Sequence, residues 1–272
     1  MALVADRLSF AYAAHTSFTT AALSEVTITV EPGELVLVVG ATGSGKSTLL
    51  RLLAGLLEPA RGTVRVDGVP PSARSGVALV FQNPEMQFFS ETVLADVAFG
   101  PRNLGLPGPE VVAERALRSV GLDPEVFGVR SPFTLSGGES RRAAIAGILA
   151  MEPAYLLLDE PTAGLDRRGR DAVLGAIAGV RERAGVLVVT HDPEQFLPVA
   201  DRIAVLSGGA AVFSGDATAF LERLGPDGAD GLRPPEFARV PLLLRARGVD
   251  IPVLGLEPVA AAHAVASALG EA

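Results

Sequence analysis

The chain has 272 residues, 49% of them hydrophobic, with a mean hydropathy of +0.38 and a net charge of −8 at pH 7. This length predicts one domain with an appendage, and the hydrophobic content is sufficient for a sizeable core. The acidic balance argues against a nucleic-acid-binding surface, and no apolar run approaches the roughly 20 residues of a membrane span. The absence of cysteine excludes disulfides and thiolate metal ligands. An acid at Asp6 interrupts the chain before the apolar region of a signal peptide can form, so a cytoplasmic protein is expected.

Two segments near the start of the chain alternate apolar and polar residues. Residues 8–12 and 26–30 both follow the period of two that is typical of half-buried strands. They predict an antiparallel strand pair that opens the fold.

A glycine-rich turn follows the apolar run 36–39 and leads into a helix. The turn matches G-x-x-x-x-G-K-[ST], the phosphate-binding P-loop, whose residues are Gly40, Ala41, Thr42, Gly43, Ser44, Gly45, Lys46, Ser47 and Thr48. Lys46 is the only lysine of the chain and the other 22 basic residues are arginines, which indicates that this position needs a compact ammonium. The motif predicts a nucleotide whose terminal phosphates contact Lys46, with Mg²⁺ on Ser47. Upstream, Tyr12 is either a core side chain or a surface on which an adenine stacks, and the P-loop favours the second interpretation.

The next predicted strand, at 77–81, is followed by Gln82, at the strand end where α/β folds bind ligands. Residues from about 90 to 150 have a helical pattern interrupted by Pro and Gly, which predicts a mostly helical subdomain inserted into the α/β core. Within it, Ser136-Gly137-Gly138 precedes an apolar helix. This tripeptide is either part of a capping box with Glu139 or an exposed helix N-terminus that binds a phosphate, and residues 135–139 alone leave both open.

Two further apolar strands end in polar residues. The strand at 155–158 ends in Asp159 and Glu160, which is an expensive position for charge unless a cation such as Mg²⁺ is near. The strand at 185–190 is followed by His191. A lone histidine is usually structural, but its position at the end of a strand near the P-loop favours phosphate sensing.

The remaining chain contains a hairpin-like segment at 203–215 and a helix at 218–224. Residues 225–235 are rich in Gly, Pro and Asp, which predicts a linker to an α-rich tail.

The motifs stand in one order along the chain and together resemble those of the ATP-binding cassette (ABC) ATPases over about residues 3–225. They are the P-loop, Gln82, Ser136-Gly137-Gly138, Asp159-Glu160, Asp166 and His191. Residues 81–88 and 141–153 are similar to the energy-coupling factor (ECF) type, which drives vitamin and nickel or cobalt importers. Glu139 departs from the glutamine of many ABC proteins, but it lies outside the Ser136-Gly137 part that would meet phosphate.

The resemblance implies an α/β fold with an ABC-type P-loop core, a mostly parallel sheet and an antiparallel β subdomain. The ATPase domain would span 1–225 with the helical subdomain at about 90–150, and an α-rich extension at 226–272 would serve dimerisation. The family places ATP between the P-loop of one subunit and the tripeptide 136–138, here called the signature segment, of a second subunit. That second subunit is the same chain or a paralogue.

The resemblance also assigns roles to single residues. Lys46 and the loop amides would hold phosphates, Ser47, Gln82 and Asp159 would hold Mg²⁺, Glu160 would be the general base, His191 would hold the γ-phosphate and Asp166 would bridge the subunits. Residues 82–89 would form a groove for an integral membrane coupling subunit. That subunit would work with a substrate-binding membrane subunit, which places this chain at the cytoplasmic face of the membrane.

Other classes of P-loop protein fit less well. A GTPase needs a second lysine in its guanine motif, a chromosome-maintenance ATPase needs a long coiled coil, and a translation-associated ABC protein needs two cassettes. The remaining alternative is a soluble ABC ATPase that acts as an assembly or interaction module.

Overall fold

The structure, a computed structural model, describes residues 1–12, 20–72, 75–251 and 254–270. The strands in these ranges are β1 (Leu3–Tyr12), β2 (Thr20–Val30), β3 (Leu35–Val39), β4 (Arg61–Val66), β5 (Val77–Val80), β6 (Tyr155–Asp159), β7 (Gly185–Thr190), β8 (Arg202–Ser207) and β9 (Ala210–Gly215). The helices are α1 (Lys46–Leu53), α2 (Val93–Val97), α3 (Phe99–Leu104), α4 (Pro109–Ser119), α5 (Pro124–Phe127), α6 (Gly137–Leu149), α7 (Arg167–Arg181), α8 (Ala217–Leu224), α9 (Glu236–Ala246) and α10 (Pro258–Ala268). Short 3₁₀ helices cover Pro84–Gln87 and Pro132–Thr134.

The larger sheet has six strands in the order β5-β6-β7-β3-β8-β9. The first five are parallel, and β9 runs antiparallel to β8. Along β3, Leu37 and Val39 enter the core on one face of the sheet while Val36 and Val38 enter the core on the other. Burial on both faces explains why the central strands are unbroken apolar runs.

A second sheet has three antiparallel strands in the order β2-β1-β4. Its inward side chains, such as Leu3, Val26 and Val64, share one core with Leu49 of α1 and with β3. The helix that follows the P-loop is therefore packed between the two sheets. The mostly parallel sheet and the antiparallel β subdomain agree with the predicted fold class.

Helices α2 to α6 lie between residues 93 and 149, and apolar side chains of α2, α4 and α6 share the other core with α7 and the large sheet. Helix α6 begins directly after Ser136, so its N-terminus carries the signature segment. None of the helices in the described ranges combines the length and the apolar character that crossing a bilayer requires.

The interpretation of residues 225–235 as a linker was wrong. Leu232 is only 9% exposed and is part of the core, and it forms a β-bridge with Ala229. The turn also lies against the P-loop, since a Cβ placed on Gly231 would be 3.3 Å from the Cβ of Ala41. The Gly, Pro and Asp residues form tight turns here and not a solvated spacer. Helices α9 and α10 then pack against each other as the α-rich extension.

Candidate active site

The large sheet brings three strand ends to one edge. Val39 of β3 pairs with Thr190 of β7, and Asp159 of β6 pairs with Val189. Because these strands are parallel, their carboxyl ends meet in the crevice where α/β folds bind ligands. Gln82 joins this edge, since β5 pairs with β6 and ends two residues before it.

The P-loop connects β3 to α1 through backbone that requires glycine. Gly45 has φ +102°, and a Cβ there would lie 2.5 Å from the carbonyl oxygen of Ala22. A larger residue would therefore push the loop away from β2. The first turn of α1 is held to β1 as well, because the hydroxyls of Tyr12 and Thr48 are 3.1 Å apart. Tyr12 is 39% exposed and its ring packs edge-on against Phe10.

Lys46 folds back onto its own loop. Its Nζ donates hydrogen bonds to the carbonyl oxygens of Gly40 at 2.7 Å and Ala41 at 3.0 Å, and the residue is 9% exposed. Burial lowers the pKa of Lys46, while the charges of Glu160 and Asp159 oppose that effect. The ammonium is thus held at the base of the loop by neutral acceptors. A phosphate oxygen is a stronger acceptor for the same donor.

Asp159 lies opposite the start of α1 and is 9% exposed. Burial raises the pKa of this carboxyl, a hydrogen bond with Ser47 opposes the shift, and the neighbouring charge of Glu160 adds to it. A carboxylate and a hydroxyl side by side are the hard oxygen ligands that Mg²⁺ prefers. The pair therefore suits Mg²⁺ beside a bound phosphate, as the sequence predicts.

Glu160 follows β6 in a strained backbone conformation with φ +51°, and its side chain is held by β7. Oε2 accepts a hydrogen bond from Oγ1 of Thr190 at 2.9 Å. Oε1 accepts the backbone N–H of His191 at 2.9 Å and lies 2.6 Å from its Nδ1. This short contact between the carboxylate and the ring fixes the orientation of the imidazole. The carboxylate is thus fixed in place and the imidazole, whose side chain is 66% exposed, reaches the opening.

These groups surround a cavity of about 440 Å³, within the range of roughly 300–1,000 Å³ that is usual for small-molecule sites. The predicted site residues that line it are Tyr12, Thr42, Gly43, Gly45, Lys46, Ser47, Thr48, Gln82, Asp159, Glu160 and His191. The phosphate loop, the two carboxylates and the aromatic ring therefore share one cavity.

Other predicted site residues lie outside this cavity. Gly40 and Ala41 contribute the carbonyls that hold Lys46, and the buried Oγ of Ser44 has no hydrogen-bond partner among the described residues. Ser136, Gly137 and Gly138 begin α6, where the capping box with Glu139 is present, and Asp166 caps α7 by accepting the N–H of Gly169 at 2.7 Å. Formation of the capping box does not exclude the phosphate-binding interpretation, because it uses the N–H groups of Ser136 and Glu139 and not those of Gly137 and Gly138.

Two contributions to the site were missed. Thr190 holds Glu160 and also donates toward the carbonyl oxygen of Asp192 at 3.2 Å. Thr190 is the only polar residue of an apolar strand and comes directly before His191, and this position could have marked it as a site residue. Ala21 and Ala22 of β2 complete one wall of the cavity, and nothing in their sequence context marks them.

The family model for ABC transporters matches residues 23–163. The energy-coupling factor transporter ATP-binding protein EcfA2 of Clostridium acetobutylicum is 41% identical over 263 residues, which cover 92% of each chain. EcfA2 of Symbiobacterium thermophilum is 43% identical over 263 residues, which cover 93% of this chain and 91% of the relative.

Solved structures agree with these relatives. The structure of cbiO1 from Clostridium perfringens, part of the ABC transporter complex cbiONQ, has a TM-score of 0.69 and 31% identity, covering 81% of this chain and 91% of that one. The cassette MJ0796, a dimer in a post-hydrolysis state bound to ADP and Pi, has a TM-score of 0.70 and 26% identity over 80% and 99% of the two chains. The resemblance and the fold class are thereby confirmed. The chain belongs to the ABC transporter family of ATPases, among the ATP-binding subunits of the energy-coupling factor type.

Proposed function

We propose that this chain is the ATP-hydrolysing subunit that powers an energy-coupling factor importer for a micronutrient, a vitamin or a nickel or cobalt ion, as one half of an ATP-sandwich dimer. The observation that carries the proposal is the separation of the two elements to which it assigns phosphate binding. The P-loop and both carboxylates line one cavity, whereas the signature segment lies outside it on the N-terminus of α6. A second subunit that supplies its own signature segment would complete the site.

In this proposal Mg²⁺ is held by Ser47 and Asp159, with Gln82 reaching the metal and the attacking water. No group of three or more His, Cys, Asp or Glu side chains in the described part of the chain is arranged to bind a metal on its own. Mg²⁺ commonly uses only one or two protein oxygens and completes its shell with phosphates and water. The bound ion supplies charge neutralisation on the phosphate oxygens.

The remaining roles follow from the contacts in the cavity. Lys46 exchanges the carbonyls of Gly40 and Ala41 for phosphate oxygens, and the ring of Tyr12 stacks on the adenine. Glu160 orients the attacking water and accepts its proton. His191 is oriented by Glu160 and contacts the γ-phosphate, and Asp166 bridges the two subunits.

Mixing two inactive variants tests the composite site. Gly137→Asp fits the fold, because a Cβ at Gly137 meets no atom within 4 Å and an acid suits the first turn of a helix. It would nevertheless place a carboxylate against the phosphates of the second subunit. Lys46→Ala disables the P-loop instead.

Each variant alone should be inactive, as both sites of its homodimer are damaged. A 1:1 mixture should recover about a quarter of the wild-type rate, since half of the dimers form one intact site of two. Gly137→Ala is the matched control and should retain activity. If the wild-type chain is active alone but the mixture recovers nothing, the sandwich arrangement is wrong. If the wild-type chain alone is inactive, the second subunit is a paralogue.

The contact with a membrane coupling subunit is proposed for a groove of about 200 Å³ beside the active site. It lies between the segment 87–89, the α2–α3 region and α6, and its rim carries Phe89, which is 60% exposed and packs edge-on against Phe99 at 4.6 Å. Met86, three residues before Phe89 in the chain, is 82% exposed, whereas Phe88 is partly buried against the core. Exposed aromatic and thioether groups beside a groove suit an apolar helix of a partner.

Phe89→Asp should therefore abolish co-purification with membrane subunits from solubilised membranes and leave ATP binding intact. Val126→Asp is the control, because Val126 is 55% exposed in the same helical subdomain but does not line the groove. Recovery of the wild-type chain in the soluble fraction without partners would favour the alternative, a soluble assembly ATPase.

The proposal also includes a substrate-binding membrane subunit in the complex. It places this chain peripherally at the cytoplasmic face of the membrane. It further assigns dimerisation to the extension 226–272. Exposed apolar side chains on α9 and α10 support the last point, since Val240 is 54% and Val259 67% exposed.

A further inference from the structure

Arg141 connects three segments of the active-site region. It lies on α6, one turn after the signature segment, and its Nη1 donates to the carbonyl oxygen of Ala163 at 2.5 Å. Its Nη2 donates to the carbonyl oxygen of Gln82 at 2.7 Å and lies 3.4 Å from Oδ1 of Asn83. One guanidinium therefore joins the signature helix to the loop after β5 and to the loop after β6.

Both loops carry residues of the proposed mechanism. Gln82 lines the cavity, and its backbone carbonyl oxygen is held by Arg141. Ala163 lies in the loop after β6, between Glu160 and Asp166 in sequence. Hydrogen bonds from a charged donor are stronger than neutral ones, and the planar fork of arginine can reach two acceptors at a fixed spacing. A lysine would supply a single point of contact.

We propose that Arg141 is a positioning residue that fixes the backbone of Gln82 against the loop after Glu160, so that the Gln82 side chain stays directed at the reacting groups. The inference rests on the proposed role of Gln82. It predicts a loss of rate without a loss of nucleotide affinity, because the hydrogen bonds of Arg141 described above reach the loops after β5 and β6 and not the P-loop.

The neighbouring Arg142 provides a matched comparison. Its Nη1 donates to the carbonyl oxygens of Val120 and Gly121, both at 3.0 Å, which lie within the helical subdomain. Removing Arg142 takes the same side chain and two carbonyl contacts from the same helix. It leaves the two active-site loops untouched.

The first measurement compares kcat, KM and thermal unfolding of the full chain. Arg141→Ala should lower kcat by about tenfold or more with KM for ATP changed less than about twofold, since displaced catalytic groups lose rate and not binding. Arg141→Lys should recover part of the rate. Arg142→Ala should lower the melting temperature at least as much as Arg141→Ala while keeping kcat near the wild-type value. An equal loss of kcat in Arg142→Ala, or a rise in KM alone in Arg141→Ala, would overturn the inference.

The second measurement is a double-mutant cycle with Gln82→Ala, which removes the side chain and keeps the carbonyl that Arg141 binds. If Arg141 acts through Gln82, adding Arg141→Ala to Gln82→Ala should lower kcat by less than about twofold. Fully additive losses would overturn the inference and leave the role of Gln82 intact. A wild-type rate in Gln82→Ala would overturn the proposed role of Gln82 together with the inference that depends on it.

Discussion

The substitution Glu160→Gln removes the proposed proton acceptor and preserves most of the contacts that hold it. The amide keeps one oxygen, which can accept from the backbone N–H and the Nδ1 of His191 in place of Oε1. At the other position its NH₂ group meets the hydroxyl of Thr190. That hydroxyl already has a second acceptor in the carbonyl of Asp192 at 3.2 Å, so it can rotate and accept from the amide.

The cost to stability should therefore be small, and the cost to hydrolysis large. The three hydrogen bonds of the carboxylate lose their charge assistance, but the cost of holding a charge in a largely buried place disappears as well, so the free energy of unfolding should change by only roughly 1 kcal/mol. Loss of a positioned general base lowers the rate by about 10²-fold or more, which corresponds to roughly 2.7 kcal/mol in the activation barrier. Nucleotide affinity should stay near that of the wild type, and the ATP-bound dimer should accumulate.

Three measurements on the same preparation separate these effects: phosphate release, titration with a fluorescent ATP analogue, and thermal unfolding. Size-exclusion chromatography with ATP then reports the trapped dimer. Glu182→Gln on the exposed end of α7 is the control for a glutamate-to-glutamine change. Hydrolysis by Glu160→Gln within about threefold of the wild-type rate would refute its role as the base, because such a change is far below the effect expected for proton transfer.

Two further predictions concern stability and the extension. Asp159→Asn should abolish Mg²⁺-dependent hydrolysis but raise the melting temperature of the nucleotide-free protein, because burial raises the pKa of Asp159 and its ionised form therefore destabilises the fold. This gain should shrink as the pH falls through the folded-state pKa of Asp159, and a gain that does not depend on pH would contradict the explanation. Gly231→Ala, with φ +75° and its new Cβ 3.3 Å from Ala41, should lose roughly 1 kcal/mol of stability and bind ATP more weakly. Gly248→Ala has φ +87° in open space and should lose stability alone, so equal ATP affinities of the two variants would show that contact with the P-loop is unimportant.

The strands that build the site were predictable from sequence because each is an apolar run buried on both faces. β6 and β7 end at Asp159 and Thr190, as the apolar runs indicate, and the P-loop begins where β3 ends. In a parallel sheet such endings fix which residues share one edge. The order of the motifs therefore predicted which elements meet, although not how their side chains contact each other.

Contacts across long sequence separations were beyond this kind of prediction. The guanidinium of Arg141 and the carbonyl of Gln82 are 59 residues apart in sequence, and nothing local to either residue indicates their hydrogen bond. The prediction of a linker at residues 225–235 failed for a different reason. Gly, Pro and Asp specify the backbone of a turn but not whether it is solvated, and burial of Leu232 decided the outcome.

The contacts of Lys46 explain why a chain with arginine at its other 22 basic positions has lysine here. The ammonium sits between the carbonyls of Gly40 and Ala41 in a place that is 9% exposed, where a planar guanidinium would have to displace the loop. Burial lowers the pKa of Lys46, and the charges of Glu160 and Asp159 restore part of the preference for the charged form. The same two carboxylates that the mechanism needs for the metal and the water thus favour the charged form of the ammonium. Its carbonyl contacts are neutral hydrogen bonds, so exchanging them for charged phosphate oxygens is favourable, and the loop is prepared for ATP before ATP arrives.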